Sequence, residues 1–430
     1  MEALIGLGLL VFLLVTGIPI AWAFAGALGY FAFMYDANLN TLMMQGFRSI
    51  NSVVLIALPI FVITGYLMQT GGIAARLIQF MEVLVGRRKG GMGTAMVLAS
   101  GVFGAIAGTS TAAVASIGKT MIPALEERGY PRGYSSALLG ISSLLGILIP
   151  PSIIMILFGV VTRQSVAALF AASIAPAIFL IILLSIINRV FCSRVFTEAV
   201  GSYDDSSSIS RGKATTRALP ALFLPFLILG GIYGGIFTPT EAAAVAAVAA
   251  LIVGVFFYRE MTFSKFSRSL VEASQTTGSI IMILLFSFMI GRILSMERIP
   301  QELTQYISSL LSDPIMILLL VNAFLIVAGA ILDDVTVTVV IAPLFLPLMV
   351  QQGVDPIHYG AIVACSVVIG ANSPPVAPIL YMASSIGQVS VHKMIIPALT
   401  FIALAGIPVM LVTTFVPELA LFIPRLFGLI

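Results

Sequence analysis

Two stretches decide how this chain folds: SSLLGILIPPSIIM at residues 142–155 and VIGANSPPVAPIL at residues 368–380. Each sets a proline pair, Pro150-Pro151 and Pro374-Pro375, inside an otherwise apolar run. Proline donates no backbone hydrogen bond and pushes the residue before it out of the helical region. A helix must therefore break at both places, and in the first the carbonyls of Leu145 to Ile149 are expected to lose their usual partners. In hydrocarbon every backbone polar group must be paired, so irregular backbone survives only when buried in protein or lining a wet cavity.

Composition places these breaks in a membrane. The 430 residues are 60% apolar and 9% charged, with a mean hydropathy of +1.13, against roughly 45–50% and 25% for an average soluble chain. The polar surface needed to cover a soluble globule is missing. The net charge of +3 therefore reflects basic residues in loops and gives no case for nucleic acid. Cys192 and Cys365 both lie in or beside apolar segments, which argues against a disulfide framework or a thiolate metal site. The first 35 residues, starting with Met1-Glu2, lack the basic region and short apolar core of a cleavable signal and read as one kinked first helix.

Windows of about 20 apolar residues, enough to cross a bilayer, recur near 51–70, 133–161, 165–188, 218–237, 239–258, 272–291, 358–384 and 394–423. Two longer stretches, 92–125 and 314–350, are interrupted by small or polar residues in the middle and read as re-entrant hairpins. With the N-terminus inside and each hairpin returning to its own side, one face collects fifteen basic residues: Arg76, Arg87, Arg88, Lys89, Arg128, Arg132, Arg189, Arg194, Arg211, Lys213, Arg217, Arg259, Lys265, Arg268 and Lys393. The other keeps five: Arg48, Arg163, Arg292, Arg298 and Arg425. The positive-inside rule makes the first face cytoplasmic and predicts N-terminus in, C-terminus out. The polar segment GSYDDSSSISRGKATT, 201–216, reads as a cytoplasmic linker between two halves.

Sliding the second half over the first at an offset of 224–226 aligns Gly65 with Gly291, Gly104 with Gly329, Thr111 with Thr336, Pro131 with Pro356, Tyr134 with Tyr359 and the two proline pairs with each other. Coincident glycines and prolines over this length mark a duplication. Because the halves start on opposite faces, the copies are inverted. The expected fold is an all-α polytopic membrane protein of two inverted repeats with re-entrant hairpins and broken helices, the architecture of secondary transporters.

The hairpin tips and breaks are where chemistry is expected. Thr109, Ser110 and Thr111 form the first tip, and Asp333, Asp334, Thr336 and Thr338 lie at the second. A charge at membrane depth costs at least about 2.5–3.5 kcal/mol on insertion scales, so adjacent acids there point to a bound group. One of the two could still be a helix cap. Freed carbonyls with hydroxyls, Asn372 and Ser373 make a hard-oxygen environment suited to Na⁺. An anionic substrate fits the half-helix N-termini, with Ser110 and Ser152 as first candidates and Thr109 and Thr111 next. His358 and His392 read as interfacial residues at helix starts. An intramembrane hydrolase is disfavoured: adjacent acids on a helix point about 100° apart, and no HExxH or G-x-S-x-G motif occurs.

AGTSTAAVASIG, LLGILIPPS, LDDVTVT and GANSPPVAP together resemble the large membrane subunit of tripartite ATP-independent periplasmic (TRAP) transporters, over essentially the whole chain. The resemblance implies an elevator-type carrier, not an enzyme, with Na⁺ as coupling ion and no other cofactor. It further implies uptake of an organic acid of the dicarboxylate or sialic acid class across the bacterial inner membrane, a periplasmic binding protein, and a small four-helix membrane subunit as a separate chain. The first sodium site would lie among Thr109, Ser110, Gly146, Pro150 and Pro151, the second among Asp334, Thr336, Thr338, Gly370, Asn372 and Pro374. Substrate would sit near Ser110, Ser152 and one of the two acids, with Asp333 as the candidate. In these terms 1–70 and 217–291 are scaffold, 71–91 and 292–312 are interfacial arms, and 92–161 and 313–387 are transport segments. The helices of 162–200 and 388–430 are expected to be scaffold. The rival reading is a stand-alone sodium-coupled carboxylate or ion transporter of the same architecture.

Overall fold

The computed structural model describes residues 2–85, 89–194, 211–374 and 377–430. Among them there is no strand, and eight helices are long and apolar enough to cross a membrane, nine if the bent pair around Pro150 counts as one span. Arg87, Arg88, Pro375 and most of the polar linker lie outside the described residues. Residues 211–216, read as linker, already belong to the helix Arg211–Tyr233.

The inversion is visible in side-chain contacts. Tyr66 Oη lies 2.9 Å from Thr276 Oγ1, and Thr70 Oγ1 lies 2.9 Å from Ser269 Oγ. The end of Val53–Thr70 is thus beside the beginning of Phe263–Met296. These helices carry the matched glycines 65 and 291, so equivalent segments of the two copies run antiparallel. Pro239–Ile252 packs against Val53–Thr70 through Ala242, Ala243, Ala246 and Ala250, all fully buried. Small residues allow this approach where apolar burial alone gives no driving force between helices.

The first apolar run is not one helix. Gly17 adopts φ +84°, Pro19 follows, and the chain folds back as Glu2–Val15 and Ile20–Met34. Gly6 makes room for the Phe31 ring, which would lie 2.4 Å from an added Cβ, and Tyr30 Oη donates to the Glu2 carbonyl at 3.4 Å. At 1.5 Å per residue, helices of 14 and 15 residues are too short to cross. Glu2 therefore returns to Tyr35, whose phenol burial and the charges of Glu2, Glu297 and Glu302 push above its usual pKa. The C-terminal Phe427 stacks on Tyr233 at the end of Arg211–Tyr233, on that same face. Glu2 with Tyr35, and Phe427 with Tyr233, thus lie toward the end of the bundle poor in basic residues, whereas the sequence reading expects the termini at opposite ends.

The interfacial arms form, with tighter bounds. Ile73–Val85 buries Ile73, Ala74, Leu77, Ile78 and Met81 on one face and pairs Arg76 with Glu260. Ile299–Leu310 starts only after Phe263–Met296 has run past residue 292. Burial raises the pKa of Glu82 in the first arm, partly offset by Arg128. A carboxyl whose folded pKa is raised stabilises less as pH climbs past its unfolded pKa. Glu82→Gln is therefore expected to raise the melting temperature at pH 8 and to leave it unchanged near pH 4, measured by thermal unfolding in detergent. An equal effect at both pH values would contradict this.

A second correction concerns the last helix of each copy. Val166–Arg194 packs mainly on Gly91–Ala107, Pro356–Ala371 and Pro417–Leu426, and His392–Phe401 on Arg132–Ser143. Both therefore belong with the hairpins and not with the scaffold. Buried polar ties explain why. Asn188 Nδ2 donates to Gly90 O at 2.7 Å while its Oδ1 accepts from Tyr134 Oη at 3.1 Å. In the second copy Asn322 Nδ2 donates to Thr414 Oγ1 at 3.0 Å and its Oδ1 accepts from Ser366 Oγ at 3.0 Å. His358, read as interfacial, is buried with Nε2 2.7 Å from the Thr413 carbonyl.

Candidate functional site

Each hairpin tip is held by backbone packed directly on backbone. In the first, Gly91–Ala107 ends at Gly108 with φ +67°, and Thr109 caps Ser110–Glu127, its Oγ1 accepting from Ala112 N at 3.4 Å. A Cβ on Gly104 would lie 2.6 Å from Gly146 Cα, one on Gly146 2.7 Å from the Thr109 carbonyl oxygen, and one on Gly108 2.6 Å from the Pro151 carbonyl oxygen. Only glycines permit this approach. Ile153 N donates to Gly108 O at 3.4 Å across the same seam.

The structure thus brings Thr109 and Ser110 against Gly146, and the tip against Pro151, while Pro150 is buried behind them. The prolines leave the Gly146 and Ile147 carbonyls without i+4 donors. Leu145 O, expected to be freed, keeps Ile149 N at 2.7 Å because the helical turn Leu145–Leu148 persists up to the break.

The second copy repeats the plan with different chemistry. Gly370 and Gly329 pack so closely that a Cβ on Gly370 would lie 2.7 Å from Gly329 Cα. Asp333 is a helix cap: Oδ2 accepts from Val335 N at 3.1 Å and Thr336 N at 3.2 Å, and Oδ1 accepts from the Thr336 hydroxyl. Asp334 accepts only through Oδ1, from Val335 N at 3.0 Å, leaving Oδ2 without a hydrogen bond among the described residues. Thr338 Oγ1 and Asn372 Oδ1 are buried and likewise unpartnered. Thr338 sits in a π-turn, Val337–Ile341, a local widening that recurs at functional sites. Asn372 Nδ2 reaches Gly140 O in the other copy at 3.4 Å. Pro374 is half-buried. An unpartnered hydroxyl, amide oxygen and carboxylate oxygen, on the second tip and its break, are the donor types that suit a hard monovalent cation.

Of the substrate candidates, Ser110 and Ser152 are buried; Ser152 Oγ accepts from Met155 N at 3.4 Å as the cap of Ile153–Thr162, which packs on Asp334–Thr336. Thr109 and Thr111 instead line a cavity of about 190 Å³ between the first tip and the scaffold. Gln69, Tyr66, Thr276 and Glu272 complete its polar wall. Sequence reading missed these four, because a scaffold residue facing the tip has no local signal; only the alignment of Gly65 with Gly291 marked that helix face.

The inverted repeats, broken helices and tip sites define a polytopic membrane transporter. The chain belongs to the family described as "Tripartite ATP-independent periplasmic transporter, DctM component", whose model matches residues 7–419. It is 34% identical over 406 residues to the C4-dicarboxylate TRAP transporter large permease protein DctM of Pseudomonas aeruginosa, covering 94% of each chain. It is 30% identical over 416 residues to the sialic acid TRAP transporter large permease protein SiaM of Vibrio cholerae, covering 96% of each. Similarity to the isethionate TRAP transporter permease protein DctMQ of Oleidesulfovibrio alaskensis is 33% over 410 residues, 95% of this chain and 64% of that one. Among solved structures, the YdaH transporter of Alcanivorax borkumensis shares the fold with a TM-score of 0.58 at 14% identity, covering 87% of each chain.

Proposed function

We propose that this chain is the ion-coupled permease of a tripartite carrier, importing a small organic acid across the bacterial inner membrane on a Na⁺ gradient. The observation that carries the coupling is the trio of unpartnered oxygens at the second tip, Asp334 Oδ2, Thr338 Oγ1 and Asn372 Oδ1. Thr338 Oγ1 and Asn372 Oδ1 are buried, and buried oxygens left without donors are costly unless a cation completes them. The paired glycine seam at the first tip supplies a second, all-neutral cation site of Thr109 and Gly146 oxygens.

Substrate is held beside the first tip, where Thr109 and Thr111 hydroxyls and the N-terminus of the 18-residue helix Ser110–Glu127 meet the cavity. The basic face is cytoplasmic, so both termini are periplasmic. Hairpins, broken helices and the last helix of each copy move together against the scaffold, hinged on the two arms. Relatives named for C4-dicarboxylate, sialic acid and isethionate support a small organic anion, a periplasmic binding protein that delivers it, and a small membrane subunit alongside.

The test is uptake by the permease complex in proteoliposomes with its binding protein outside. An inward Na⁺ gradient is expected to drive accumulation without ATP. Equal accumulation with the gradient collapsed, or with no binding protein present, would overturn this reading.

A further inference from the structure

A second crevice, of about 270 Å³, lies on the opposite face from the tip cavity, between scaffold and hairpin two. It is the repeat-related counterpart of that cavity. Val62, Gly65, Tyr66 and Gln69 of the tip cavity correspond, 226 residues on, to Phe288, Gly291, Arg292 and Ser295, all of which line the crevice. Glu272 and Thr276 correspond, 227 residues back, to Gln45 and Ser49, which line it too. The scaffold walls of the two spaces are the same surface used twice.

The moving walls are not in the same register. The tip cavity meets hairpin one at Thr109, Thr111, Ala112 and Ala115, whereas the crevice meets hairpin two at Val339, Val340, Pro343 and Leu344. At the offset of 225 that aligns Thr111 with Thr336, those crevice residues match positions 114, 115, 118 and 119. The two registers differ by about one helical turn, roughly 5 Å, so the hairpins sit about half a turn toward the basic face relative to a symmetric position, and the crevice is the space left behind on the other side. Shifted back, the second tip would arrive beside Arg292.

Charge separates the two spaces. Among the described residues, the only charged one lining the tip cavity is Glu272, paired with Arg268 at 2.7 Å. Among the described residues the crevice is lined by Arg163 and Arg292 with no carboxylate, and both side chains are exposed with no carboxylate within 4.0 Å. Arg163 comes from the mobile side, at the end of Ile153–Thr162, in the left-handed conformation at φ +58°. Its repeat counterpart Gln388 has the same conformation at φ +48°, so the backbone turn is shared and the guanidinium is particular to this face. Arg292 replaces the repeat counterpart Tyr66.

We propose that this crevice is a capture site for the carboxylate of a small organic anion, held between Arg163 and Arg292 before the second tip reaches it. It deepens the transport reading above and rests on it for the direction of movement. Two guanidiniums from opposite walls bind a carboxylate best when the walls are close, and each offers the planar fork that a carboxylate matches. A carboxylate that bridges them favours approach of the mobile body to the scaffold on this face. On the other side the tip cavity is lined, among the described residues, by no guanidinium, and its Glu272 is paired with Arg268, so the substrate there meets hydroxyls and a helix N-terminus instead.

The test uses Ser295→Cys in the permease complex in nanodiscs. Cys192 and Cys365 are buried, so the introduced thiol is the reactive one. A sulfonate-bearing methanethiosulfonate is expected to modify it about tenfold faster than a trimethylammonium analogue, because each guanidinium within reach contributes a Coulomb attraction. Succinate is expected to slow that modification. Adding R163Q and R292Y, the repeat counterparts, should erase both the preference and the protection; R163K with R292K should keep the preference. In the binding-protein-dependent uptake assay, R163Q is expected to raise KM about tenfold with the maximal rate within twofold. No preference for the anionic reagent, a preference that survives loss of both arginines, or no protection by succinate would each overturn the capture site. Because labelling needs no gradient, a failure of Na⁺-driven uptake would sink the transport reading while leaving the labelling result to stand.

Discussion

Gly146→Ala is expected to cut uptake by at least about tenfold, since a site must be held within about 0.5 Å of its working geometry. The added methyl would lie 2.7 Å from the Thr109 carbonyl oxygen and 3.0 Å from its carbon. Both are backbone atoms that no side-chain rotation can clear, so the first tip must lift from the break. Overpacking of this kind costs about 1–3 kcal/mol, and a melting curve would show it. Gly104→Ala, with its Cβ 2.6 Å from Gly146 Cα, is expected to behave alike. Gly278→Ala is the control: nothing lies within 4 Å of its Cβ, and a mid-helix alanine should stabilise by about 0.5–1 kcal/mol. Full uptake by Gly146→Ala would show that the seam between tip and break does not shape the site.

The second large effect separates the two adjacent acids. Asp334→Asn keeps an Oδ1 to accept from Val335 N but removes the charge beside the unpartnered oxygens. The sodium concentration for half-maximal uptake is expected to rise about thirtyfold, the equivalent of about 2 kcal/mol for a charge pair that loses one member. Asp333→Asn should leave that concentration within about threefold, because asparagine caps a helix about as well as aspartate. Sodium titrations of uptake for the two variants decide it. Equal shifts would mean that both acids bind the ion, and a larger shift for Asp333→Asn would reverse the assignment.

Much of this was legible before any coordinates, for a physical reason. In a membrane, prolines, glycines and charges are too costly to be scattered, so Pro150-Pro151, the tip at Thr109 and the pair Asp333-Asp334 announce themselves. What was not legible depended on tertiary packing. The run ending at Met34 reads as one span because its apolar composition hides the turn at Gly17, and only the fit of Phe31 on Gly6 reveals a hairpin. Val166–Arg194 and His392–Phe415 carry no local mark of which body they join; that is set by Asn188 and Asn322, whose partners are distant in sequence. The cap role of Asp333 was one of two open choices, and side-chain geometry separates them. Arg163 and Arg292 look like ordinary loop cations until the repeat alignment places them in one crevice.

Equilibrium binding of ²²Na⁺ to the purified permease complex tests the central claim most directly, because it needs neither substrate nor binding protein. Saturable sodium binding is expected, weakened in one class of sites by Asp334→Asn or Thr338→Val and in another by Gly146→Ala, with each variant retaining the class it does not touch. Sodium binding that is absent in the unaltered complex, or unchanged in all three variants, would contradict it.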